Sequence, residues 1–523
     1  METKLGAADQ PAFVDISTRL RRHAAAQPNA DAVMCGDIRL SYREFDARVS
    51  RCANALIALG VKPGDSVAIL AAPSAAYLET FVGALRAGAC AVPLSAMASP
   101  EQLALKIADC DAKALFVSNS AIESGCGLVA SAALLPGAAI AFDGASDGFR
   151  DYAAWISPAS DKQPGIPILP EMLFNIIYSS GTTGAPKGIV HSHATRTLTL
   201  DRFGDLGFGH GCRSIVATPL YSNTTLASWL PTLGLGGSVI LMPKFDARGY
   251  LELAARERAT HTILVPVQFQ RVLADPDFDR FDLSAFKFKM TTSAPMQTGL
   301  KREIARRWPG PMIEMYGLTE GGGICTLDIK ADDGKLDTVG KPAFGCVIKI
   351  IDERGEELPQ GQAGEIVGRG PIMMRGYHNQ PDKTAEMIWH DFDGERYFRS
   401  GDMGWFDPEG YLHLADRKKD MIISGGFNVF AADLESVLHD HPDIADCAVI
   451  GIPSLQWGET PLGFVVPRVG RDLDPEAARQ WANAGLSKVQ RLSRLEIREA
   501  LPRNTLGKIL KRELRRPYWT APT

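Results

Sequence analysis

The sequence predicts an α/β protein built on largely parallel sheets, followed by a small β unit and a smaller mixed unit, and three observations predict it. Short apolar runs alternate with helix-length amphipathic segments up to about Val339. Short strands with turn signals follow, such as those starting at Ile348 and at Gly364. After Asp416 a mixed helix–strand unit runs to the end. Alternation of the first kind is the pattern of βαβ units; closely spaced strands with turns read as antiparallel structure.

Ser41 to Leu59 places Phe45, Val49, Cys52, Leu56 and Ile57 on one helical face, and Gly60 stops that helix. The run after Asp65 (SVAIL) reads as a buried strand. Helix signals around Ala75–Arg86 and Pro100–Asp109 alternate with apolar runs at Ala89–Leu94 and Ala114–Val117. Further strands are expected at Phe174–Tyr178, Ile215–Thr218, Ser238–Met242, Thr262–Val265, Phe286–Met290 and Met312–Met315. Pro158 to Pro170 is Pro-rich and aperiodic, hence a loop. The most apolar stretch, Ile69 to Leu94, is interrupted by Glu79 and Arg86, so it reads as buried strand and helix and not as a membrane span.

The 523 residues exceed what one hydrophobic core holds. The chain is 45% hydrophobic and 22% charged, an ordinary globular composition. Its 56 Lys and Arg against 61 Asp and Glu give a net charge of -5, which leaves no electrostatic footprint for nucleic acid. The nine cysteines have neither metal-ligand nor CxxC spacing, so reduced thiols and a cytoplasmic location are expected. The first residues show no basic flank before an apolar run, so no signal peptide is expected.

Chemistry concentrates first between Tyr178 and Gly188. Ser179, Ser180, Gly181, Thr182, Thr183 and Gly184 precede Pro186 and Lys187, between two apolar strands. Hydroxyls and close backbone N–H groups suit phosphate oxygens, and Lys187 adds a mobile positive charge. The Lys-Ser/Thr ending of a Walker A loop is missing, because Gly188 follows Lys187.

This loop resembles the phosphate loop of the adenylate-forming superfamily: acyl-CoA synthetases, nonribosomal adenylation domains and beetle luciferases. Four further motifs stand in that family's order. They are Tyr316-Gly317-Leu318-Thr319-Glu320, the Ser400-Gly401-Asp402 run, Asp416-Arg417-Lys418-Lys419-Asp420, and Pro502-Arg503-Asn504-Thr505-Leu506-Gly507-Lys508. The acyl-CoA synthetase branch is the best match.

The resemblance implies a large N-terminal domain over residues 1–415, made of two α/β sheet subdomains and a small β subdomain. A small mobile α+β domain over residues 416–523 would follow, with its hinge at Asp416. Tyr316 would stack on adenine, Thr319 touch the α-phosphate, and Glu320 with Thr183 hold Mg²⁺. Asp402 and Arg417 would bind the ribose. Ser293, Ala294, Pro295, Glu314, Met315 and Gly317 would also contact the nucleotide. Gly425, Gly426 and Phe427 would face the CoA pantetheine. Lys508 would bridge the substrate carboxylate and the α-phosphate.

The implied reaction uses ATP, Mg²⁺ and CoA. A carboxylate attacks the α-phosphorus, pyrophosphate leaves, and a thiol then displaces AMP from the acyl-adenylate. The alternative acceptor is a carrier-protein phosphopantetheine; a luciferase-like oxygenase and a non-catalytic binding relative are further alternatives.

The acyl pocket would be lined by Tyr221, Ser222, Val267, Thr292, Met315, Gly317 and Gly322, mostly apolar or small. Arg271 is the nearby candidate for a second carboxylate. No Asp lies between Pro219 and Gly237 to hold an α-amine. A hydrophobic monocarboxylate is expected, with a lean toward aliphatic or alicyclic acids over aryl ones. The chain departs from the family pattern at Ser222, which replaces a His, at Ala431, which replaces a Pro, and at the segment Leu486 to Gln490, which lacks the usual Tyr-Lys-x-Pro.

Overall fold

A computed structural model describes residues 13–146, 148–178, 186–343, 345–417, 420–424, 427–484, 486, 490–504 and 507–519, without the side chains of residues 130, 131, 416, 417 and 428. Two largely parallel sheets carry the large domain. The nine-stranded sheet runs from Lys341–Pro342 through Ile324–Asp328, Met312–Gly317, Phe288–Thr291, His261–Leu264, Arg213–Val216 and Ser238–Leu241 to Asp31–Cys35 and Ile38–Ser41. Its inner strands are parallel, and antiparallel pairs close both edges. The eight-stranded sheet runs from Gly376–Tyr377 through Gly188–Ser192, Leu173–Tyr178, Cys90–Pro93, Ser66–Leu70, Ala112–Val117 and Ala139–Ala141 to Arg150–Asp151.

Helices between these sheets give them one shared core. Phe45, Leu56, Phe81, Leu85, Trp229 and Leu233 from the helices meet Val33 and Val239 of one sheet and Val67, Ile69 and Phe174 of the other. Helix Tyr42–Ala58 starts where Ser41 and Glu44 satisfy each other's backbone N–H groups in a capping box. Phe45, Val49, Cys52 and Leu56 of its apolar face are buried, as its periodicity predicts, and Ile57 is partly buried.

The two charges interrupting the apolar stretch are buried, and each has found a partner. Glu79 takes Arg48 at 2.6 Å and the Tyr152 hydroxyl at 3.0 Å. Arg86 takes Asp46 at 2.5 Å and the hydroxyls of Ser17 and Ser50 at 2.7 Å. Among the described residues no helix is long and apolar enough to cross a membrane.

Three expected strands are displaced by one or two residues toward the N-terminus or C-terminus. The strand expected at Ile215–Thr218 is Arg213–Val216, because the polar Ser214 is satisfied inside the sheet by Thr232 at 2.7 Å. His261 similarly enters its strand while its ring sits against Phe208 and Phe288. Phe286 instead closes a turn onto Leu283, so the strand there begins at Phe288.

A third, antiparallel sheet joins Val347–Ile351, Gly364–Arg369, Arg396–Phe406 and Ile388–His390, with Leu412–Arg417 paired to Arg396–Phe406. The small C-terminal domain is built on a fourth sheet. There Gly458–Pro467 lies between Ile444–Ser454 and Ile422–Ser424, and Arg494–Ile497 adds in parallel. Helices Ala431–His439 and Pro475–Ala484 cover it with Leu434, Leu438, Ala478 and Ala482. Helix Ala431–His439 starts at Ala431, in place of the family's Pro, without a side-chain cap.

Candidate active site

Parallel strands leave their carboxyl ends on one side of a sheet, where loops can converge on a ligand. Phe288–Thr291 runs into Thr292, Ser293 and Ala294, and Met312–Gly317 into Leu318, Thr319 and Glu320. His261–Leu264 leads into Val265 and Val267, and Arg213–Val216 into Tyr221 and Ser222. Strand Leu173–Tyr178 of the other sheet leads into the predicted phosphate loop. Ser179, Ser180, Gly181, Thr182, Thr183 and Gly184 lie outside the described residues, as do Gly425, Gly426 and the side chains of Asp416 and Arg417.

Four described motif residues meet in two clusters. In the first, the Tyr316 hydroxyl donates to Asp402 Oδ2 at 2.9 Å, joining two motifs separated by 86 positions. Asp402 is also the register partner of Arg417 in the third sheet, which puts both predicted ribose residues at one rung. Burial, and then the Asp402 charge, push the Tyr316 phenol up, so it stays a donor.

In the second cluster, the Tyr377 hydroxyl donates to Glu320 Oε1 at 3.1 Å, and Lys187 Nζ stands 5.6 Å from the centre of the Tyr377 ring. Tyr377 thereby brings Lys187 and Glu320 to one place. The main chain of Glu320 is fixed as well, its carbonyl accepting from Met374 N at 2.7 Å. Tyr377 was not among the sequence candidates. Antiparallel pairing of Gly376–Tyr377 with Gly188–Ser192 delivers it, and one Tyr in a short strand carries no pattern of its own.

Ser293 adopts a left-handed backbone (φ 78°), rare for a residue with a side chain, and its hydroxyl is 2.6 Å from that of Thr224. Glu314, expected to contact the nucleotide, has its side chain engaged within the protein. Its carboxyl is buried against the Lys301 ammonium and accepts from Met296 N at 3.1 Å. Burial pushes that carboxyl up, while Lys301 and the Met296 N–H pull the other way.

Around the expected acyl pocket, Ser222 is spent on capping helix Asn223–Gly234, where its hydroxyl accepts from Thr225 N. Tyr221 and Val267 are half-buried and Thr292 is buried. Met315 packs with Phe203, Phe208, Ile263 and Met290 in one apolar cluster. Gly322 is a packing glycine: a Cβ there would meet the Phe398 side chain. Arg271 is exposed and lines a surface depression with Asp246 and Asp275.

The Lys508 loop is tightly tied. Asn504 N donates to Lys508 O, and Asn504 Oδ1 accepts from Lys508 N, both at 2.9 Å. Arg503 anchors the loop to Asp446 at 2.6 Å. Gly507 has φ 77°, and a Cβ on it would stand 2.6 Å from Val267 Cγ1 of the large domain. The small domain is therefore seated with Gly507, the neighbour of Lys508, against the expected acyl pocket. A second bridge, unsuspected from the sequence, joins Gln297 Nε2 to His439 Nε2 at 2.9 Å. Phe427, the described member of the CoA set, is 62% exposed.

Comparison with known proteins agrees over nearly the full length. The AMP-binding enzyme family matches residues 20–378, and the AMP-binding enzyme C-terminal domain matches residues 433–508. A feruloyl-CoA synthase of Amycolatopsis is 35% identical over 95% of this chain and 98% of its own length. An indoleacetate–CoA ligase of Aromatoleum aromaticum is 34% identical over 96% and 98%. The crystal structure of ATP-bound MatB from Rhodopseudomonas palustris superposes with a TM-score of 0.86, at 29% identity over 97% of this chain and 99% of that one. The chain belongs to the AMP-binding enzyme family, in the acyl-CoA synthetase branch of the adenylate-forming enzymes.

Proposed function

We propose that the protein is an AMP-forming acid–CoA ligase that activates an aromatic carboxylic acid as its acyl-adenylate and passes the acyl group to CoA. The observation that carries this reading is the convergence of the separated motifs: Tyr316 with Asp402, Glu320 with Lys187 through Tyr377, and the Lys508 loop against Val267.

A carboxylate is a poor acyl donor because its leaving group would be oxide. Transfer of AMP makes that oxygen part of a phosphate ester that leaves readily. In-line attack needs two anions held together, so positioning and charge neutralisation carry the catalysis. Lys508 bridges the acid's carboxylate and the α-phosphate, and Thr319 donates to the latter. Lys187 holds the departing pyrophosphate together with Ser179, Ser180, Gly181, Thr182, Thr183 and Gly184. Tyr316 and Asp402 seat the nucleoside, with Arg417 as the second ribose contact.

Glu320 offers a single hard carboxylate, and among the described residues no cluster of three metal-ligating side chains gathers. That donor set fits Mg²⁺, which takes its remaining ligands from phosphate and water. Glu320 would hold the ion with Thr183, and bound there it would neutralise phosphate charge.

For the second half-reaction, rotation about Asp416 withdraws Lys508 and brings Gly425, Gly426 and Phe427 toward the pantetheine thiol. The exposed Phe427 suits that role. The domain division then falls at residues 415 and 416.

Two relatives named for aryl acids move the acid toward an arylpropenoic or arylacetic one. The apolar cluster of Phe203 and Phe208 with Met315, a residue expected to line the pocket, suits a ring. A panel of aryl and aliphatic carboxylates, scored by pyrophosphate release with and without CoA, tests the reading. CoA-stimulated turnover with aryl acids is expected. Pyrophosphate release indifferent to free CoA would point to a carrier-protein acceptor, and none with any acid would overturn adenylation.

A further inference from the structure

The segment from Met374 to Gln380 holds two separate motifs together. On one side it grips Glu320 twice. Met374 N donates to the Glu320 carbonyl at 2.7 Å, and the Tyr377 hydroxyl donates to Glu320 Oε1 at 3.1 Å. On the other side it follows the chain leaving the phosphate loop. Gln380 Nε2 donates to Pro186 O at 2.6 Å, His378 N to Gly188 O at 2.7 Å and Arg375 N to Val190 O at 2.9 Å. Lys187 stands between the first two of these bonds, and its Nζ lies over the Tyr377 ring, 5.6 Å from the centre. That is within the range at which a ring face attracts a cation.

Both sides of this clamp are fixed. Strand Gly188–Ser192 is locked along its other edge, where His191 is the register partner of Asn175. Arg196 bonds both of them: its Nε donates to Asn175 Oδ1 at 2.9 Å, and its Nη2 lies 3.1 Å from His191 Nδ1. Tyr377 is set by helix Pro381–Glu386. There Thr384 Oγ1 accepts from Tyr377 N and donates to Gln380 O, both at 2.9 Å. The Tyr377 side chain is buried in an apolar cluster with Ile189, Met374 and Phe398. Burial, and then the Glu320 charge, push its phenol up, so the hydroxyl stays a donor.

We propose that Tyr377 is a positioning residue with two separable tasks: its hydroxyl orients the Glu320 carboxylate for Mg²⁺, and its ring holds the Lys187 ammonium at the phosphate loop. This rests on the adenylation reading, which gives the metal to Glu320 and the pyrophosphate to Lys187. A hydrogen-bond partner behind a ligating carboxylate fixes its orientation, and losing such a partner weakens metal binding by about 10–100-fold.

The test compares Tyr377→Phe, which removes only the hydroxyl, and Tyr377→Leu, which removes the ring as well, with the wild type. Each protein is melted alone, with ATP and EDTA, and with ATP over a series of Mg²⁺ concentrations. Single-turnover adenylate formation is followed over the same series. Melting reads binding without chemistry, and wild-type pyrophosphate release with an aryl acid checks the adenylation reading separately. Tyr377→Phe should need about tenfold more Mg²⁺ for half of the effect in both measurements. Its melting shift with ATP and EDTA should stay that of the wild type. Tyr377→Leu should show the same Mg²⁺ defect and also lose part of the shift with ATP and EDTA, as for about threefold weaker ATP binding. In a Glu320→Gln background, Tyr377→Phe should move the Mg²⁺ dependence no further, because both changes act on one carboxylate. A packing role alone would lower the melting temperature of the free protein and leave the Mg²⁺ dependence where it was. The proposal is overturned if Tyr377→Phe keeps the wild-type Mg²⁺ dependence, or if Tyr377→Leu binds ATP in EDTA as the wild type does. Tyr377→Met, which fills the apolar space without a ring, takes the place of Tyr377→Leu should that variant fail to fold.

Discussion

The floor of the site and the lid over it are built by opposite means. The floor is buried: Asn175, His191 and Arg196 are interlocked between strands and helix, and Tyr316 is bonded to Asp402 at the proposed nucleoside end. The small domain touches the large one through Gly507 against Val267 and through the Gln297–His439 bridge, a contact that includes an exposed side chain. Buried polar networks are costly to rearrange, whereas single exposed hydrogen bonds are cheap to break. The difference matches the two jobs the proposed function assigns: one geometry for the nucleotide throughout, and a lysine loop that is placed and then removed. Perturbing the lid should therefore split the half-reactions, and perturbing the floor should change stability and binding.

The largest effect is expected at the tip of the lid. Lys508→Ala should slow adenylate formation by about 10²–10³, the scale for losing one donor to a developing charge. Thioester formation from supplied acyl-adenylate should be spared. Single-turnover assays of each half measure this, and equal losses in both would erase the contrast between lid and floor.

The floor's counterpart is a stability effect at His193. The ring is 1% exposed, stacks edge-on against Phe174 at 5.1 Å, and its Nε2 has no partner. Burial pushes it down to about 4. Between pH 6.5 and 4 the unfolded chain therefore binds a proton that the folded ring refuses. Its contribution is intact above pH 6.5 and is lost as pH falls, by about 2 kcal/mol at pH 5. His193→Phe should flatten that loss. Chemical denaturation of both proteins at pH 7.5 and pH 5 checks it; parallel losses would mean that His193 is not the acid-sensitive group.

How far these features could be read from sequence depends on whether they are local. Tyr316, Glu320, Asp402 and Lys508 lie in contiguous motifs whose order was visible, and the fold joins Tyr316 to Asp402 and brings Glu320 to Lys187 through Tyr377. The apolar strand runs were visible too, but their ends moved wherever tertiary partners absorbed a polar residue, as Thr232 does for Ser214. Tyr377 arrives by strand pairing from nearly two hundred positions away and left no signal. His191 did leave one, as a polar break after Ile189 and Val190, but a break alone does not distinguish an exposed strand end from a buried network. Gln297 and His439 are 142 positions apart, and nothing in either neighbourhood points to the other.

A smaller effect is expected at the hinge-side neighbour of Lys508. Gly507 needs its positive φ, and a side chain there would press on Val267 Cγ1. Gly507→Ala should slow adenylate formation about tenfold, combining backbone strain with the clash. Adding Val267→Ala should return part of that loss by removing the clash but not the strain. Rate constants for the single and double variants measure the coupling, and additivity would show that Gly507 is not seated on Val267 during adenylation.

The smallest effect is the most discriminating. Gln297 occupies the N-cap of helix Thr298–Arg307, yet its side chain makes no capping bond and reaches His439 instead. Gln297→Ser exchanges the bridge for a cap. A serine cap stabilises a helix by roughly 0.5–1 kcal/mol, and one exposed hydrogen bond is worth about as much. The variant should melt no lower than wild type but form adenylate two- to threefold more slowly, at about 0.5 kcal/mol, because the lid is less often seated. Thioester formation from supplied adenylate should be unchanged or slightly faster. A variant that is more stable and yet slower in one half-reaction alone cannot be explained by damage to the fold. If both halves keep their wild-type rates, the bridge does not bias the lid, and the seating of Lys508 rests on the Gly507–Val267 contact.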